Sequence, residues 1–331
     1  MSDPKSCPIS YSEALKARKV VYEYLKPTGL IAYKNLSSLL GAEILVKHEN
    51  HHPTGSFKIR GGVNLLRHLK DISAEGVITF STGNHGLSIA QSAAWVNMEA
   101  TVVVPEQSNP AKKCSIQSTG AQLIEAGKTF EAASQVVDEL VAEKGLYFAH
   151  PANEPHLING VATEFIEILE DVPDLDAIIL PLGAGSEVAA ACVVLKKINP
   201  DIQIYAVQAA NSSAAYQSWH KGEILTADNT TFAGGFATGS AYETPFAIYK
   251  DKLTDFVILS EEEIYQGIAL AGYYTHQLVE GAGAATLMAA LKLQEQLKGK
   301  KVVLQFSGCN ASPGEILKAY QLPAFQEGWV G

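Results

Sequence analysis

The amino-acid sequence predicts an α/β protein in which the strands form mostly parallel sheets. Short apolar runs rich in β-branched residues, such as TVVV at 101–104 and AIIL at 177–180, alternate with longer stretches of helical character. Strands that alternate with helices build parallel sheets, and because both faces of such strands are buried they read as continuous apolar runs. At 331 residues, the chain has the length of two domains, or of one large domain with an insertion.

Candidate strands and helices follow one another along most of the chain. The strands are predicted at 43–49, 76–80, 100–105, 121–126, 146–150, 177–183, 203–208, 255–260 and 301–307. Helical segments separate most of them, at 86–97, 129–145, 160–172, 187–200, 261–277 and 284–299. This order predicts βαβ units on open, twisted sheets flanked by helices.

Composition and charge exclude several classes of partner. Apolar residues make up 47% of the chain and charged residues 18%, as in ordinary globular proteins, and the net charge is −10. Lysine and arginine are scattered, so we expect neither nucleic acid nor an anionic membrane as a partner. The sequence begins without an apolar signal region and contains no run of 18 apolar residues, so neither secretion nor a membrane span is expected.

Cysteine and histidine spacing argues against disulfides and metal. The chain has four cysteines, Cys7, Cys114, Cys192 and Cys309, which are far apart and form no Cys-x-x-Cys pair. This pattern predicts reduced thiols and a cytoplasmic location. His51 and His52 are adjacent, and no Cys or His follows them at ligand spacing, so no metal site is expected.

Three polar, glycine-containing loops follow three predicted strands. They are STGNHG at 81–86, GAGSE at 183–187 and SGCN at 307–310. In open α/β sheets, ligands bind beyond the carboxyl ends of the strands. The three loops therefore predict one small-molecule site.

The GAGSE loop has the features of a phosphate site, because it leads from a strand into the N-terminus of a helix, where backbone N–H groups favour an anion. A tight turn with nothing bound is the alternative. Gly183, Gly185 and Val188 lack the third glycine of a dinucleotide fingerprint, and the next strand ends at Gln208 instead of an acid that binds ribose. An NAD site is therefore disfavoured, and the P-loop spacing of ATPases is absent.

The STGNHG loop concentrates hydrogen-bonding side chains in one turn. Ser81 and Thr82 offer hydroxyls, Asn84 an amide and His85 an imidazole, while the flanking glycines let the backbone approach a ligand. Taken alone, Asn84 is equally explained as a turn residue and His85 as a capping group. Together they indicate binding of a carboxylate or of a ring oxygen.

Lys58 lies within PTGSFKIRGG at 53–62, surrounded by small and hydroxyl-bearing residues. A lysine held in a pocket loses its proton more readily, because desolvation disfavours the ammonium, and it can then form a Schiff base with a carbonyl. A Ser56–Lys58 nucleophile is an alternative, but it leaves the phosphate loop unexplained, and no Gly-x-Ser-x-Gly elbow supports a hydrolase. A reactive lysine, a phosphate loop and a polar group for a ring edge together suit pyridoxal 5'-phosphate.

These motifs resemble, in order, those of the fold-type-II pyridoxal-phosphate enzymes, in the branch of serine/threonine dehydratases and serine racemases. PTGSFKIRGG resembles the cofactor-lysine motif and STGNHG the Ser-x-Gly-Asn-His loop. HPANEPHLINGVAT at 150–163 resembles the family's His-Pro segment, and GAGSE stands where the family has a tetraglycine phosphate loop. VEGAGAA at 279–285 and FSGCN at 306–310 resemble two further segments of the family.

The resemblance implies a role for each matching residue. Lys58 would bind the cofactor and act as the general base. Asn84 would hydrogen-bond the ring hydroxyl, Glu280 would lie beside the ring, and Ser307 would face the pyridine nitrogen. The remaining residues fall into a phosphate group and a substrate group: Gly183, Ala184, Gly185 and Ser186 bind phosphate, whereas Ser81, Thr82, His85 and Asn153 line the substrate pocket.

The resemblance also implies an architecture and a reaction. We expect two open, twisted, mostly parallel sheets, in a large cofactor-binding domain at 1–75 and 149–331 and a small mobile domain at 76–148, and a homodimer. The expected reaction removes water from L-threonine or L-serine and yields a 2-oxo acid and ammonia. Alternatives are a serine racemase, a dehydratase of another 3-hydroxy amino acid such as hydroxyaspartate or phenylserine, and a non-catalytic cofactor-binding protein.

Two departures from the family pattern refine these expectations. Thr82 stands where the racemase branch has a serine that reprotonates the α-carbon, and its methyl group restricts the rotamer, so a dehydratase is favoured over a racemase. That branch also binds a divalent cation through acids, and the matching positions here are Gln208 and Ala214. Because these residues lack the charge of such ligands, no metal site is expected.

Overall fold

A computed structural model of the chain describes residues 7–81, 83–106, 110–127 and 130–329. The larger of its two sheets has six strands in the order β1-β2-β10-β7-β8-β9. These strands are β1 (Leu30–Ala32), β2 (Glu43–Lys47), β7 (Ala177–Pro181), β8 (Gln203–Ala209), β9 (Asp255–Leu259) and β10 (Lys301–Gln305). All neighbouring pairs are parallel except β1 with β2, which is the antiparallel edge.

The smaller sheet has four parallel strands in the order β5-β4-β3-β6. They are β3 (Val77–Phe80), β4 (Ala100–Val104), β5 (Gln122–Glu125) and β6 (Tyr147–Phe148). Strands β3 and β4 are buried along their whole length, as expected for a parallel sheet that is covered on both faces. The predicted fold class, with two mostly parallel sheets flanked by helices, is confirmed.

Helices connect and cover the strands. In chain order they are α1 (Tyr11–Tyr24), α2 (Lys34–Leu40), α3 (Lys58–Asp71), α4 (Asn84–Trp95), α5 (Pro110–Gln117), α6 (Phe130–Lys144), α7 (Pro155–Val161), α8 (Thr163–Asp171), α9 (Ser186–Ile198), α10 (Ala214–Lys221), α11 (Glu243–Tyr249), α12 (Glu261–Thr275), α13 (Gly281–Lys292), α14 (Gln294–Leu297), α15 (Pro313–Tyr320) and α16 (Pro323–Glu327). None of the helices in the described ranges combines the length and the hydropathy needed to cross a bilayer.

Two compact units divide the chain. The first contains the described residues up to Lys26 together with Phe57–Thr163, and it carries the four-stranded sheet. The second contains Pro27–Ser56 and the chain from Glu164 onwards, and it carries the six-stranded sheet. The first unit includes the whole of the predicted small domain, 76–148, and extends beyond it on both sides. The division into a large cofactor-binding domain and a small mobile domain stays a prediction.

Each predicted strand is present, usually with bounds one or two residues shorter than expected. The edge strand β1 was not predicted, since three residues are too few to show a periodicity. Helix α13 explains why the large sheet can bury so much apolar surface. Ten of its twelve residues are buried, and those from Gly281 to Ala285 are glycine or alanine, which allows close packing against the sheet.

Candidate active site

Lys58 is the first residue of α3 and is half-buried. Its backbone carbonyl oxygen accepts a hydrogen bond of 2.7 Å from the Ser88 hydroxyl on α4, so the two helices are joined at the lysine. Gly62, one turn further along α3, faces Ser88 and Ser92 so closely that any side chain at this position would collide with their hydroxyls. Gly62 therefore allows α3 and α4 to pack closely.

The STGNHG loop connects β3 to α4 in the same unit. Gly83 is the N-cap residue of α4, and its N–H donates a hydrogen bond of 3.2 Å to the Ser81 hydroxyl. Asn84 begins the helix and is half-buried. A Cβ at Gly86 would lie 2.5 Å from the Ser81 carbonyl oxygen, so the tight turn requires glycine there. Thr82, the remaining predicted residue of the loop, lies outside the described residues.

His85 is buried and turned into the unit. Its Nε2 atom lies 3.1 Å from the Ala149 carbonyl oxygen and 3.0 Å from the Thr79 hydroxyl. Burial, and to a smaller extent the positive charge of Lys58, lowers the pKa of His85 to about 3, against the opposing effect of the Ala149 carbonyl. The imidazole is therefore neutral at physiological pH.

The HPANEP segment is ordered by His150. The Nδ1 atom of this residue accepts hydrogen bonds from the backbone N–H groups of Ala152, at 3.0 Å, and Asn153, at 2.9 Å. Asn153 is thereby held at a fixed place in the turn before α7, and its side chain is half-buried. Its contact with substrate remains a prediction.

In the second unit, the GAGSE loop leads from β7 into α9. Gly185 is the N-cap residue of this 13-residue helix, with φ of 88°, a left-handed conformation that favours glycine. Gly185 has no side chain that could cap the helix, and the first turn of a helix is where backbone N–H groups bind an anion. Gly183 packs so tightly against the carbonyl oxygen of Gly235 that a Cβ would collide with it.

These features fit the phosphate of a cofactor. An uncapped helix N-terminus supplies N–H donors and a positive dipole end, and Ser186 adds a buried hydroxyl. The glycines keep the backbone bare of side chains where it would approach the ligand. The predicted phosphate residues, Gly183, Ala184, Gly185 and Ser186, are thus brought together in one turn.

Ser307 and Glu280 lie close to each other in the second unit. Ser307 follows β10 and is buried, and the N–H of Glu280 donates a hydrogen bond of 3.0 Å to the carbonyl oxygen of Gly308. Glu280 is also the N-cap residue of α13 and is buried. The Glu280–Gly308 bond therefore ties together the segments that carry both predicted ring-facing residues of this unit, and their contacts with the cofactor ring remain predictions.

The segment that precedes Lys58 is bound to the segment that follows Ser307. Ser56 pairs with Gly308 as an antiparallel bridge, and the Cys309 N–H donates a hydrogen bond of 2.9 Å to the Gly55 carbonyl oxygen. The Asn310 amide also donates to the Thr54 carbonyl oxygen at 2.8 Å. Residues 54–56 of the lysine motif are therefore held against the SGCN loop by these three backbone and amide contacts.

The histidines that precede Lys58 in the sequence make different contacts. His52 is buried, and its Nε2 lies 3.0 Å from the Glu49 carboxylate. His51 is exposed and bonds through Nε2 to the Gln277 side-chain oxygen at 2.8 Å. The neighbouring His48 is buried, and this burial, with the charges of His51 and Lys47, lowers its pKa to about 4.

Buried polar residues around the cofactor loops were missed by the sequence analysis. Lys47, at the end of β2, forms a fully buried ion pair of 2.6 Å with Glu167 on α8. Beside it in the sheet, the Gln305 amide donates to the carboxylate of Glu164, at 2.9 and 3.1 Å, and to that of Glu187. The available signal was a single polar or charged residue inside an otherwise apolar run, as in EILVK and VVLQF.

Gln208 and Ala214 are the two positions that the sequence analysis matched to cation ligands. The side-chain oxygen of Gln208 accepts a hydrogen bond of 3.0 Å from the Tyr216 N–H, and Ala214 begins α10. In the part of the chain that the structure describes, no group of three His, Cys, Asp or Glu side chains is arranged to hold a metal ion.

The buried neutral histidines predict a loss of stability on mild acidification. In the unfolded chain His85 and His48 take up a proton near pH 6.5, whereas in the folded protein their pKa values are about 3 and about 4. Below pH 6.5 the unfolded state binds more protons, so stability is complete above that pH and falls as the pH decreases. Between pH 7 and pH 5 we expect each histidine to cost about 2 kcal/mol of unfolding free energy.

Urea unfolding at the two pH values measures this effect. His85→Gln removes one of the titrating groups, so its stability should fall by less than that of the wild type over the same interval. An equal decrease in the two proteins would contradict a neutral, buried His85.

Comparison with known proteins agrees with this site. The family described as "Pyridoxal-phosphate dependent enzyme" matches residues 21–308. The L-threonine ammonia-lyase of Thermotoga maritima is 32% identical over 91% of this chain and 76% of its own length. The L-threo-3-hydroxyaspartate ammonia-lyase of Saccharomyces cerevisiae is 32% identical over 91% of this chain and 93% of its own. The catabolic L-threonine dehydratase of Escherichia coli K12 is also 32% identical, over 92% and 93%.

Solved structures show the same fold. The serine racemase of Dictyostelium discoideum superposes with a TM-score of 0.87 at 29% identity, covering 92% of this chain and 99% of that one. The T.th. threonine deaminase superposes with a TM-score of 0.86 at 29% identity and the same coverage. The chain belongs to the family of pyridoxal-phosphate-dependent enzymes.

Proposed function

We propose that the protein is a pyridoxal-phosphate-dependent ammonia-lyase that acts on a β-hydroxy amino acid, with L-threonine or L-serine as substrate. The reaction converts the amino acid into a 2-oxo acid and ammonia. The observation that carries this proposal is the similarity, over nine tenths of the chain, to relatives named L-threonine ammonia-lyase and dehydratase. The site supports it with a half-buried lysine at a helix start and an uncapped helix N-terminus after a glycine loop.

Lys58 is the proposed catalytic residue. It holds the cofactor, and once released by the incoming amino acid its Nζ atom takes the α-proton as general base. The bound cofactor supplies the electron sink through which the α-proton and the β-hydroxyl can leave. The loop Gly183–Ser186 binds the phosphate, while Asn84 and Glu280 orient the ring from its edge.

Ser307 is proposed to face the ring nitrogen. A hydroxyl does not enforce protonation of that nitrogen, whereas a carboxylate would. The weaker electron sink that results favours elimination, in which electrons depart with the β-substituent, over reactions that need a long-lived carbanion. Ser307 therefore supports the elimination reaction over transamination.

The substrate pocket is proposed to include Ser81, Thr82 and Asn153, with His85 in its wall. Two alternatives have specific support. The solved serine racemase at 29% identity favours a racemase, and the yeast relative favours hydroxyaspartate as a substrate. Both reactions begin with the same proton transfer to Lys58, so they differ only in the later steps.

A substrate screen tests the proposed function. The purified, cofactor-loaded protein is incubated with L-threonine, L-serine and L-threo-3-hydroxyaspartate, and 2-oxo acid, ammonia and enantiomer are measured. We expect equal amounts of oxo acid and ammonia from threonine or serine. Formation of the opposite enantiomer without oxo acid would identify a racemase. Oxo acid from hydroxyaspartate alone would identify hydroxyaspartate as the substrate. No product from any of the three would identify a cofactor-binding protein without turnover.

A homodimer in the cytoplasm is also proposed. The support for the location is the cysteine pattern, since all four thiols are free. The support for the dimer is the resemblance to the serine/threonine dehydratase branch. Light scattering of the purified protein measures the assembly directly.

A further inference from the structure

Gln305 ends β10, one of the two adjacent strands from which the proposed cofactor loops leave. Ser307, proposed to face the ring nitrogen, follows Gln305 by two residues. The phosphate loop, Gly183–Ser186, follows β7, which is the neighbour of β10 in the six-stranded sheet. Because β7 and β10 are parallel, both loops leave the sheet in the same direction.

The ladder between β10 and β7 ends before the two loops begin. Its last pair of residues is Leu304 with Ile179. The next residue, Gln305, is registered with Lys47 of β2, which lies on the other side of β10. Beyond Leu304, the separation between the phosphate loop and Ser307 is therefore no longer set by this ladder.

The side chain of Gln305 makes a connection past the end of the ladder. Its Nε2 atom donates to the Glu187 carboxylate, in the first turn of α9 directly after Ser186. The same atom donates to the Glu164 carboxylate on α8, at 2.9 and 3.1 Å, and all three side chains are buried. An amide nitrogen has two hydrogens, one for each carboxylate, whereas the amide oxygen would be repelled by both. The orientation of the amide is therefore fixed.

We propose that Gln305 is a positioning residue for the cofactor, because it fixes the separation between the phosphate loop and Ser307. Its side chain holds the first turn of α9 through Glu187, and its backbone leads directly to Ser307. The phosphate and the ring nitrogen of the cofactor belong to one small molecule, so the groups that bind them must keep their places to within about 0.5 Å. This inference rests on the proposed function for the places of the phosphate and the ring nitrogen.

Lys47 provides the matched comparison. It is registered with Gln305 in the sheet and is equally buried. It bonds to Glu167 on α8, at 2.6 Å, and to the Thr28 carbonyl oxygen, and neither partner belongs to a proposed cofactor loop. A residue that only stabilises this layer of the protein acts as Lys47 does, whereas a positioning residue also changes how the cofactor is held.

Cofactor titration of Gln305→Met and Lys47→Met separates the two roles. The cofactor is removed from the full-length proteins and titrated back below their melting temperatures, while visible absorbance reports the ring and phosphorus NMR reports the phosphate. We expect Gln305→Met to bind the cofactor roughly tenfold more weakly, as for one lost hydrogen bond to a charged group, with its phosphorus resonance displaced. Lys47→Met should keep the wild-type affinity and resonance despite its lower stability. Wild-type affinity in Gln305→Met, or an equal loss in both variants, would overturn the proposal.

Two substitutions at the other end of the connection test it independently, and they decide the question if Gln305→Met does not fold. Glu187→Gln and Glu187→Leu both remove the charge beside the phosphate loop, but only glutamine keeps an oxygen that accepts from Gln305. We expect Glu187→Gln to bind the cofactor roughly tenfold more tightly than Glu187→Leu. In the Gln305→Met background this difference should vanish. Equal affinities of Glu187→Gln and Glu187→Leu, or a difference that persists in that background, would contradict the proposal.

These measurements need no substrate. If the wild type binds the cofactor but turns over no amino acid, the proposed reaction fails, whereas the affinities of the variants still decide the role of Gln305. If the wild type is active and Gln305→Met binds the cofactor as tightly as the wild type, the reaction stands and the positioning role fails.

Discussion

Replacing Lys58 by alanine is expected to abolish turnover and the visible absorbance of the bound cofactor. The alanine has no amine with which to hold the aldehyde carbon or to take the α-proton, so both functions are lost together. We expect kcat to fall by roughly four orders of magnitude or more, as when a group that supplies both nucleophile and base is removed. Absorbance spectra of the purified protein after addition of cofactor, and assays of oxo acid, measure the two losses.

Lys70→Ala is the matched control. Lys70 lies on the same helix, but it is exposed and bonds only weakly to the Asn97 carbonyl oxygen at 3.5 Å. Its removal should leave both the absorbance and the turnover at the wild-type level. Retention of the cofactor absorbance in Lys58→Ala, or a colourless wild type, would refute the assignment of Lys58.

Replacing Lys47 by methionine is expected to destabilise the protein by about 3–5 kcal/mol, the usual cost of leaving one buried charge without its partner. Lys47 is fully buried, and its Nζ lies 2.6 Å from the Glu167 carboxylate and 3.0 Å from the Thr28 carbonyl oxygen. The substitution preserves the length of the side chain, so it removes the charge more than the packing. Urea unfolding at neutral pH measures the change.

Burial, not distance, makes this pair important. Lys301 and Asp174 form an ion pair of 2.7 Å at the surface, and Lys301→Met should cost far less because water and salt screen the charges. The double variant Lys47→Met with Glu167→Leu should recover most of the lost stability, since neither charge is then stranded. Equal effects of Lys47→Met and Lys301→Met would contradict this account.

The sequence allowed prediction of the strands of both sheets because each parallel strand is a short apolar run between turn residues. It did not reveal helix α1 or the edge strand β1. Helix α1 buries only Ala14, Ala17 and Val21, so its buried apolar pattern is too sparse to recognise. Strand β1 is only three residues long.

Part of the candidate site could likewise be predicted from the sequence, and part could not. The segments that carry Lys58, Asn84, Gly183 and Ser307 could be found, because each is a distinctive local motif and the last three follow a strand. The bonds of Gln305 to Glu164 and Glu187 could not, because they join residues 141 and 118 positions apart and no local pattern announces such a contact. The contact of His85 Nε2 with the Ala149 carbonyl oxygen likewise joins residues 64 positions apart.

The close approach of Gly183 to Gly235 restricts how the sequence of this enzyme can change. A side chain at Gly183 would need the backbone at Gly235 to retreat, and one at Gly235 would lie 2.5 Å from the Ala282 methyl group at the start of α13. Neither residue can therefore be replaced singly, and three segments remote in sequence must change together or remain as they are. Attempts to engineer a new cofactor preference will succeed sooner through coordinated libraries at these three segments than through single substitutions in the phosphate loop.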